Sequence, residues 1–521
     1  MMRTIDNFDA GFATAPNRTF LLDAESGETL TYDEVSKFTH RFAHAIRTHG
    51  LGKESKIAVL SHNSTLMYQC VLGVLRSDAI WLPVNARSGV DEMVDVLTRF
   101  ECDLLFYEGS ASAVAESFAS LPGNEANIVL LTKQTVTDWM GTQPDSAFQP
   151  APDNLDTVYA IQATGGTTGV PKAVQFSNRN ARSIVSSFMT VAPFHASAGA
   201  PHPVYLATAP LSHAAGQFMQ LIMRQAGTAV IPHGATPADL LKLIEEYRVT
   251  HTFLPPTVIY GMLDEPELNA HDYGSLQYLV YGASPMSPVR LARAIKAFGP
   301  VLAQLYGQTE TGVPNTWLSP QDHFINGDIA PPDRLSSAGR IVPGTQLVIL
   351  DESGNSVPTG STGEIAVRGE GVTPGYYKDE EATAAARHGQ YFLTGDIAYI
   401  DESGFVHIVD RKKDVIITGG FNVYSAEVER RILAFPGIAE CAVLGIPDPK
   451  WGESVTALIE PIPGNNIVID ELRAFCREAL GPVKTPKTFI VRDSLPRSAV
   501  GKILKRELRQ EFWSANERMV S

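Results

Sequence analysis

The stretch Tyr159–Val174, YAIQATGGTTGVPKAV, decides how the rest of this chain is read. A short apolar run, Val158 to Ile161, stops at a turn built from Thr164, Gly165, Gly166, Thr167, Thr168 and Gly169, which Pro171 and Lys172 close. Glycines let the backbone approach a ligand and aim successive N–H groups inward, the arrangement that cradles phosphate oxygens. The threonines add hydroxyls and Lys172 adds a cation. It is not the G-x-x-x-x-G-K-[ST] loop, because the lysine stands three residues past the last glycine and no Ser or Thr follows it. Taken alone, the stretch reads as a Gly/Thr surface loop as readily as a phosphate cradle.

Outward from this turn the chain alternates. Thr31 and Glu34 form a capping box for a helix carrying Val35, Phe38, Phe42, Ala45 and Ile46 at helical spacing. Strands are expected at Lys56–Leu60, Ala79–Pro83 and Asp103–Tyr107, with helices at Leu66–Leu75 and Asp91–Phe100 between them. Past the turn, strands at Val204–Ala209, His251–Pro255 and Tyr278–Gly282 continue the pattern, with a helix started by Thr236-Pro237. This predicts a large N-terminal α/β domain of doubly wound sheets. From about Ala338, short strands punctuated by Gly and Pro (Gln346–Leu350, Gly363–Arg368, Phe405–Asp410) predict a β-rich subdomain. The charged knot Asp410-Arg411-Lys412-Lys413-Asp414 then marks an expected domain boundary. Residues Met1 to Asp410 form the N-terminal domain in this reading, and Arg411 to Ser521 a small, mobile α+β C-terminal domain.

The 521 residues are too many for one ordinary core, and 44% hydrophobic with 19% charged residues is ordinary for a soluble globular protein. A net charge of −15 argues against a general nucleic-acid binder. Cys70, Cys102, Cys441 and Cys476 lie far apart with no metal-ligand spacing, so they are expected as buried small hydrophobes in a reducing compartment. The N-terminus lacks a signal-peptide core, and no apolar run approaches the ~18 residues of a transmembrane span. The expectation is a cytoplasmic, soluble protein without a transmembrane segment; a homodimer stays open.

Four further stretches bear on the phosphate signal. Tyr306-Gly307-Gln308-Thr309-Glu310 follows a strand-like Val301–Leu305; Glu310 suits Mg²⁺ on a polyphosphate and Tyr306 offers a ring face for a base. Thr394-Gly395-Asp396 places a carboxylate after a tight turn, suited to ribose hydroxyls. Arg411 adds a guanidinium, and Pro496–Lys502 (PRSAVGK) ends on a lone lysine. Singly, Glu310 and Asp396 read as caps or turn residues, Arg411 as a solvated charge and Lys502 as a surface cation. In this order they are not independent.

The set resembles the adenylate-forming superfamily of acyl-CoA synthetases, adenylation domains of peptide synthetases and beetle luciferases. The Gly/Thr turn, YGQTE, the TGD stretch, DRKKDVIITGG and PRSAVGK stand in that family's order and approximate spacing, from Tyr159 to Arg506. The resemblance implies that Thr164 through Lys172 hold the β- and γ-phosphates. Gly282, Ala283 and Ser284, with Tyr306 and the adjoining Gly307, would form the adenine slot. Thr309 would contact the α-phosphate, Glu310 the Mg²⁺, and Asp396 and Arg411 the ribose. Lys502 would bridge the attacking carboxylate and the α-phosphate, Lys413 would be the hinge, Gly419 and Gly420 would line a pantetheine channel, and His213 would sit beside the acyl pocket. Departures are few: Gly165 stands where serine is common, Asp410 replaces a common glycine, and Ser425 replaces a common proline, where it is expected to serve as a helix N-cap.

The chemistry asks for these types independently. A carboxylate attacking the α-phosphorus of ATP is an anion approaching a polyanion, so cations and N–H donors must neutralise the developing charge. The acyl adenylate is hydrolysable, which asks for a dry site, and a second nucleophile must then reach the same carbonyl, which asks for a site that can be rebuilt. The segment Ala209–Met219 and the strand Leu279–Ala283 offer His213, Gln217 and Tyr281 but no acid, implying a neutral pocket for an aromatic, alicyclic or fatty carboxylate. No carrier domain is expected after Lys502. The leading expectation is therefore an AMP-forming carboxylic acid:CoA ligase using ATP, Mg²⁺ and coenzyme A. Its rivals are transfer of the acyl group to an amine or a carrier-protein thiol, and a non-catalytic nucleotide or acyl-CoA sensor.

Overall fold

The computed structural model describes residues 3–164, 171–192, 202–497 and 503–513. The chain separates into two compact units, one formed by Met1–Leu347 with Val367–Phe392, the other by Val348–Ala366 with Leu393–Ser521.

The first unit contains two large sheets. In one, the strands Asn127–Leu130, Leu104–Tyr107, Lys56–Leu60, Ile80–Leu82 and Val158–Thr164 run parallel in that order, and Lys172–Ser177 pairs antiparallel at the end. In the other, Thr19–Asp23, Thr228–Ile231, Val204–Leu206, His251–Leu254, Tyr278–Tyr281 and Leu302–Gln308 are parallel neighbours, flanked by antiparallel edge strands. Parallel strands need covered faces, which is why they read as continuous apolar runs rather than alternating ones. Ile57 and Val59 pack in one core and Ala58 and Leu60 in another, on opposite faces of a single strand. The doubly wound reading holds. The capping boxes at Thr31–Glu34 and Thr236–Asp239 are both formed, each joining a threonine side chain to the backbone three residues on.

The β-rich stretch groups with the C-terminal residues in the second unit. Gln346–Leu350, Gly363–Arg368, Tyr391–Ile400 and Val406–Arg411 lie side by side in one sheet. A further sheet orders Phe421–Val423, Ile416–Thr418, Gly452–Pro461 and Ile438–Asp448, with Thr488–Val491 parallel to Gly452–Pro461. The helices Ser425–Leu433 and Ile469–Lys484 pack on it through Val428, Ile432, Leu472 and Cys476, the second helix kinking at Gly481. The expected N-cap at Ser425 is corrected: Tyr424 is the cap position and makes no side-chain cap bond. Ser425 is the first helical residue, and both its N–H and its hydroxyl are given to the carboxylate of Asp410. Ser425 stands one residue inside the helix, past the cap position, and the Asp410 carboxylate accepts its N–H, so a distant side chain caps the first turn.

All four cysteines are buried and free. Among the described residues no helix is long and apolar enough to cross a membrane.

Candidate active site

The first unit brings the phosphate and metal candidates together at the carboxyl ends of its parallel strands, where open α/β sheets bind ligands. Thr164 is the last residue of Val158–Thr164 and pairs directly with Lys172 across the antiparallel hairpin. The expected phosphate residues Gly165, Gly166, Thr167, Thr168 and Gly169 lie outside the described residues. Glu310 arrives from the turn between Leu302–Gln308 and Gly312–Leu318. Thr311 Oγ1 closes that turn by accepting from the Gln308 N–H at 3.3 Å and from Asn315 Nδ2 at 2.5 Å. The Thr373 N–H donates to the Glu310 carbonyl at 2.8 Å. So held, Glu310 Oε1 accepts from the Thr164 hydroxyl at 3.4 Å and from the Tyr376 hydroxyl at 3.3 Å. Thr309 stands in the same turn, half-buried.

Tyr376 went unnoticed in the sequence. It lies in Thr373-Pro374-Gly375-Tyr376-Tyr377, which reads as an ordinary Pro-Gly turn before an aromatic pair. The segment is zipped against Lys172–Ser177: the Tyr377 N–H donates to the Ala173 carbonyl at 2.7 Å and the Gln175 N–H to the Gly375 carbonyl at 3.1 Å. The Tyr376 ring thereby lies 4.6 Å from Lys172 Nζ.

The adenine candidates lie at the ends of two adjacent parallel strands. Tyr281 is paired with Gln304, so Gly282–Ser284 and Tyr306 both follow at the same edge. A side chain at residue 282 would set its Cβ 2.9 Å from the Leu305 carbonyl, so glycine is required for the strands to approach there. Ala283 takes a positive φ of 67°, turning the chain sharply. Gly307 sits beside a β-bulge between Tyr306 and Gln308, which re-aims the strand end before Glu310.

His213 precedes the helix Ala214–Arg224 and lines a cavity of about 20 Å³ with Trp81, Tyr159, Gln162, Ser212 and Gln217. Gln162 is two residues before Thr164 on one strand, so both side chains leave the same face of the sheet. Burial lowers the His213 pKa to about 4, so its imidazole is neutral at neutral pH. Tyr281 is not part of this cavity. It is buried in the other core, where its hydroxyl bonds His323 Nε2 at 3.0 Å, because alternate residues of its strand face opposite sides.

In the second unit, Asp396 and Arg411 stand directly opposite one another on neighbouring antiparallel strands, with Nε 2.7 Å from Oδ1. The Asp396 N–H donates to the Thr394 hydroxyl at 3.1 Å, and that hydroxyl donates to the Ile365 carbonyl at 2.9 Å. The carboxylate is buried while the guanidinium is half-exposed. Lys413 follows in a single 3-10 turn; burial lowers its pKa, with Asp414 opposing. Gly419 and Gly420 form the turn between Ile416–Thr418 and Phe421–Val423. Gly419 has φ +58° and a Cβ there would lie 2.7 Å from the Trp451 ring, so only glycine suits the position. Trp451 and Phe421 are 40% and 62% exposed, and Lys450 and Lys487 place their ammonium groups 4.7 and 4.5 Å from the Trp451 ring. Lys502 lies outside the described residues.

A hairpin and a carboxylate turn converging at the ends of parallel strands fit a nucleotide-using α/β enzyme, and comparison with known proteins agrees. The family model for AMP-binding enzymes matches residues 8–377, and that for the AMP-binding enzyme C-terminal domain matches residues 427–502. The chain therefore belongs to the AMP-binding enzymes, adenylate-forming ligases of the acyl-CoA synthetase type. It is 32% identical over 502 residues to the fatty acid–[acyl-carrier-protein] ligase ScoC of Streptomyces coeruleorubidus, covering 95% of this chain and 94% of that one. It is 32% identical over 493 residues to the feruloyl-CoA synthase of an Amycolatopsis species, covering 93% and 94%. The solved amide bond synthetase McbA of Marinactinospora thermotolerans superposes with a TM-score of 0.86 at 27% identity, covering 98% of this chain and all of that one.

Proposed function

We propose that this protein is an ATP-dependent carboxylic acid:CoA ligase. A carboxylate oxygen attacks the α-phosphorus of ATP and expels pyrophosphate; the CoA thiol then attacks the acyl carbonyl of the adenylate, giving the thioester, AMP and a proton. The observation that carries this reading is the meeting of Thr164, Lys172 and Glu310 at one strand end, with Thr164 3.4 Å from the carboxylate and directly across from the lysine.

In this reading Lys172 and the turn before it neutralise the outer phosphates, as the pyrophosphate leaving group requires. Glu310, a hard oxygen donor with two hydroxyls within 3.4 Å, suits Mg²⁺. Among the described residues no group of three His, Cys, Asp or Glu forms a metal cage, and Mg²⁺ on a nucleotide takes only one or two carboxylates. When bound, the ion would supply charge neutralisation on the phosphates. Gly282, Ala283, Ser284 and Tyr306 take the adenine, Thr309 the α-phosphate, and Asp396 with Arg411 the ribose hydroxyls. Lys502 bridges the entering carboxylate and the α-phosphate. Residues 411–521 turn about Lys413 between the two half-reactions.

The cavity beside His213 supports a neutral acid, because among the described residues its lining carries no Asp, Glu, Lys or Arg and its histidine is uncharged. The exposed Trp451, flanked by Lys450 and Lys487 beside Gly419, supports CoA as acceptor: an aromatic face suits its adenine and the two cations its phosphates. The test is pyrophosphate and AMP release over a panel of aromatic, alicyclic and fatty carboxylates, with and without CoA. CoA-dependent AMP and thioester are expected. Product formation only with an amine or a carrier protein would replace the acceptor, and no release with any acid would favour a sensor.

A further inference from the structure

Glu310 and Lys172 bring opposite charges to the same strand ends of the first unit, and both are met by one neutral side chain. Tyr376 donates its hydroxyl to Glu310 Oε1 at 3.3 Å and presents its ring 4.6 Å from Lys172 Nζ. It is 7% exposed, and its backbone N–H donates to the Thr383 hydroxyl at 2.9 Å. One residue on either side, Thr373 and Tyr377, is clamped as well. Thr373 binds the Glu310 carbonyl through its N–H and the Gln175 carbonyl through its hydroxyl, and Tyr377 binds the Ala173 carbonyl. The ring therefore has little freedom to leave either charge.

A direct carboxylate–ammonium pair would satisfy both groups and would have to be broken by every incoming nucleotide. A phenol serves differently. Its hydroxyl orients the carboxylate through one lone pair of Oε1, beside the Thr164 hydroxyl on the same atom, without neutralising its charge. Its face holds the ammonium by a weak attraction that a phosphate readily outcompetes.

We propose that Tyr376 is a positioning residue that keeps Glu310 for the metal and Lys172 for the triphosphate, aiming each while preventing their mutual neutralisation. This rests on the reading of Glu310 as the metal ligand given above.

Two substitutions separate the two contacts. Y376F keeps the ring over Lys172 and removes only the hydroxyl; Y376L removes both. In titration calorimetry of ATP without any carboxylate, so that no turnover occurs, Y376F should raise the Mg²⁺ needed for half-maximal tightening about three- to tenfold. It should leave affinity for metal-free ATP unchanged. Y376L should in addition weaken metal-free ATP binding about three- to fivefold. In steady state, Y376F should raise the KM for Mg²⁺ with kcat retained at saturating Mg²⁺, a split that loosened packing would not give. The inference is overturned if Y376F titrates Mg²⁺ like the wild type, or if Y376F and Y376L behave alike in both titrations. Glu310→Gln identifies the origin of a failure. If it shifts the Mg²⁺ requirement while Y376F does not, the role of Tyr376 is wrong. If it shifts nothing, the metal assignment falls and this inference with it. Y376F differs by one oxygen atom, and its melting temperature verifies the fold.

Discussion

Burial holds His323 neutral, with a pKa lowered to about 4, and its two nitrogens do opposite work. Nδ1 faces the Ser319 carbonyl at 2.8 Å and must carry the proton, which leaves Nε2 to accept from the Tyr281 hydroxyl. A second proton would turn Nε2 into a donor facing a donor. Because the folded value lies below the ~6.5 of the unfolded chain, the unfolded state takes up this proton first. The stabilisation is full above pH ~6.5 and is lost as pH falls towards 4, and His213, also lowered to about 4, acts in the same sense. The denaturant midpoint should therefore fall between pH 7 and pH 5, and Tyr281→Phe should lower it at pH 7 and flatten the fall. A wild-type profile level across this window would contradict the assignment. At this scale the sequence is most legible where chemistry fixes the residue type. Thr164, Lys172 and Glu310 are recognisable as hydroxyl, cation and hard anion in turns. Tyr376 is not, because its hydroxyl reaches a carboxylate 66 residues away and a phenol in a turn announces no chemistry. Tyr281 misleads for the opposite reason: a period-two strand decides which face it takes, and the residue letter does not.

Asp410 and Ser425, two separate departures from the family pattern, turn out to be one feature. The carboxylate closing Val406–Arg411 takes both the N–H and the hydroxyl of the first residue of Ser425–Leu433. Lys505 Nζ donates to the same hydroxyl at 2.7 Å and pairs with Glu429 at 2.7 Å; burial opposes its charge, and the carboxylates around it raise its pKa more than burial lowers it. Proline is well tolerated at the first helical position, so Ser425→Pro should cost little in the helix itself. What it removes is two donors from a buried carboxylate, a loss of about 1–3 kcal/mol. Asp410→Gly should cost a similar amount, and the double variant little more than either alone, a coupling of about 1 kcal/mol or more in denaturant unfolding. Strictly additive single effects would show that the contact carries no energy. The elements themselves were largely readable, since capping residues and apolar periodicity act locally; Lys56–Leu60 and Gly363–Arg368 match their expected limits. The cap at Ser425 was not, because it comes from a strand fifteen residues back and not from the helix's own sequence.

Over the whole molecule, the residues assigned to phosphate, metal and adenine belong to one compact unit, and those assigned to ribose, hinge and thiol entry to another. Order and spacing along the chain made both sets legible as a family pattern. The grouping of Val348–Ala366 with the C-terminal residues was not legible, because strand pairing between distant segments leaves no local signature. In the proposed function Lys502 belongs to the first half-reaction and the Gly419–Gly420 turn to the second. The most direct test is exchange of labelled pyrophosphate into ATP, dependent on the carboxylic acid and run without CoA, paired with thioester formation from a supplied acyl adenylate. The wild type should do both. Lys502→Ala should lose about 10²–10³-fold in exchange and retain thioester formation, while Lys413→Pro should retain exchange and lose thioester formation. Thioester formation from acid, ATP and CoA without any acid-dependent exchange, or a Lys502→Ala enzyme that exchanges like the wild type, would contradict the account.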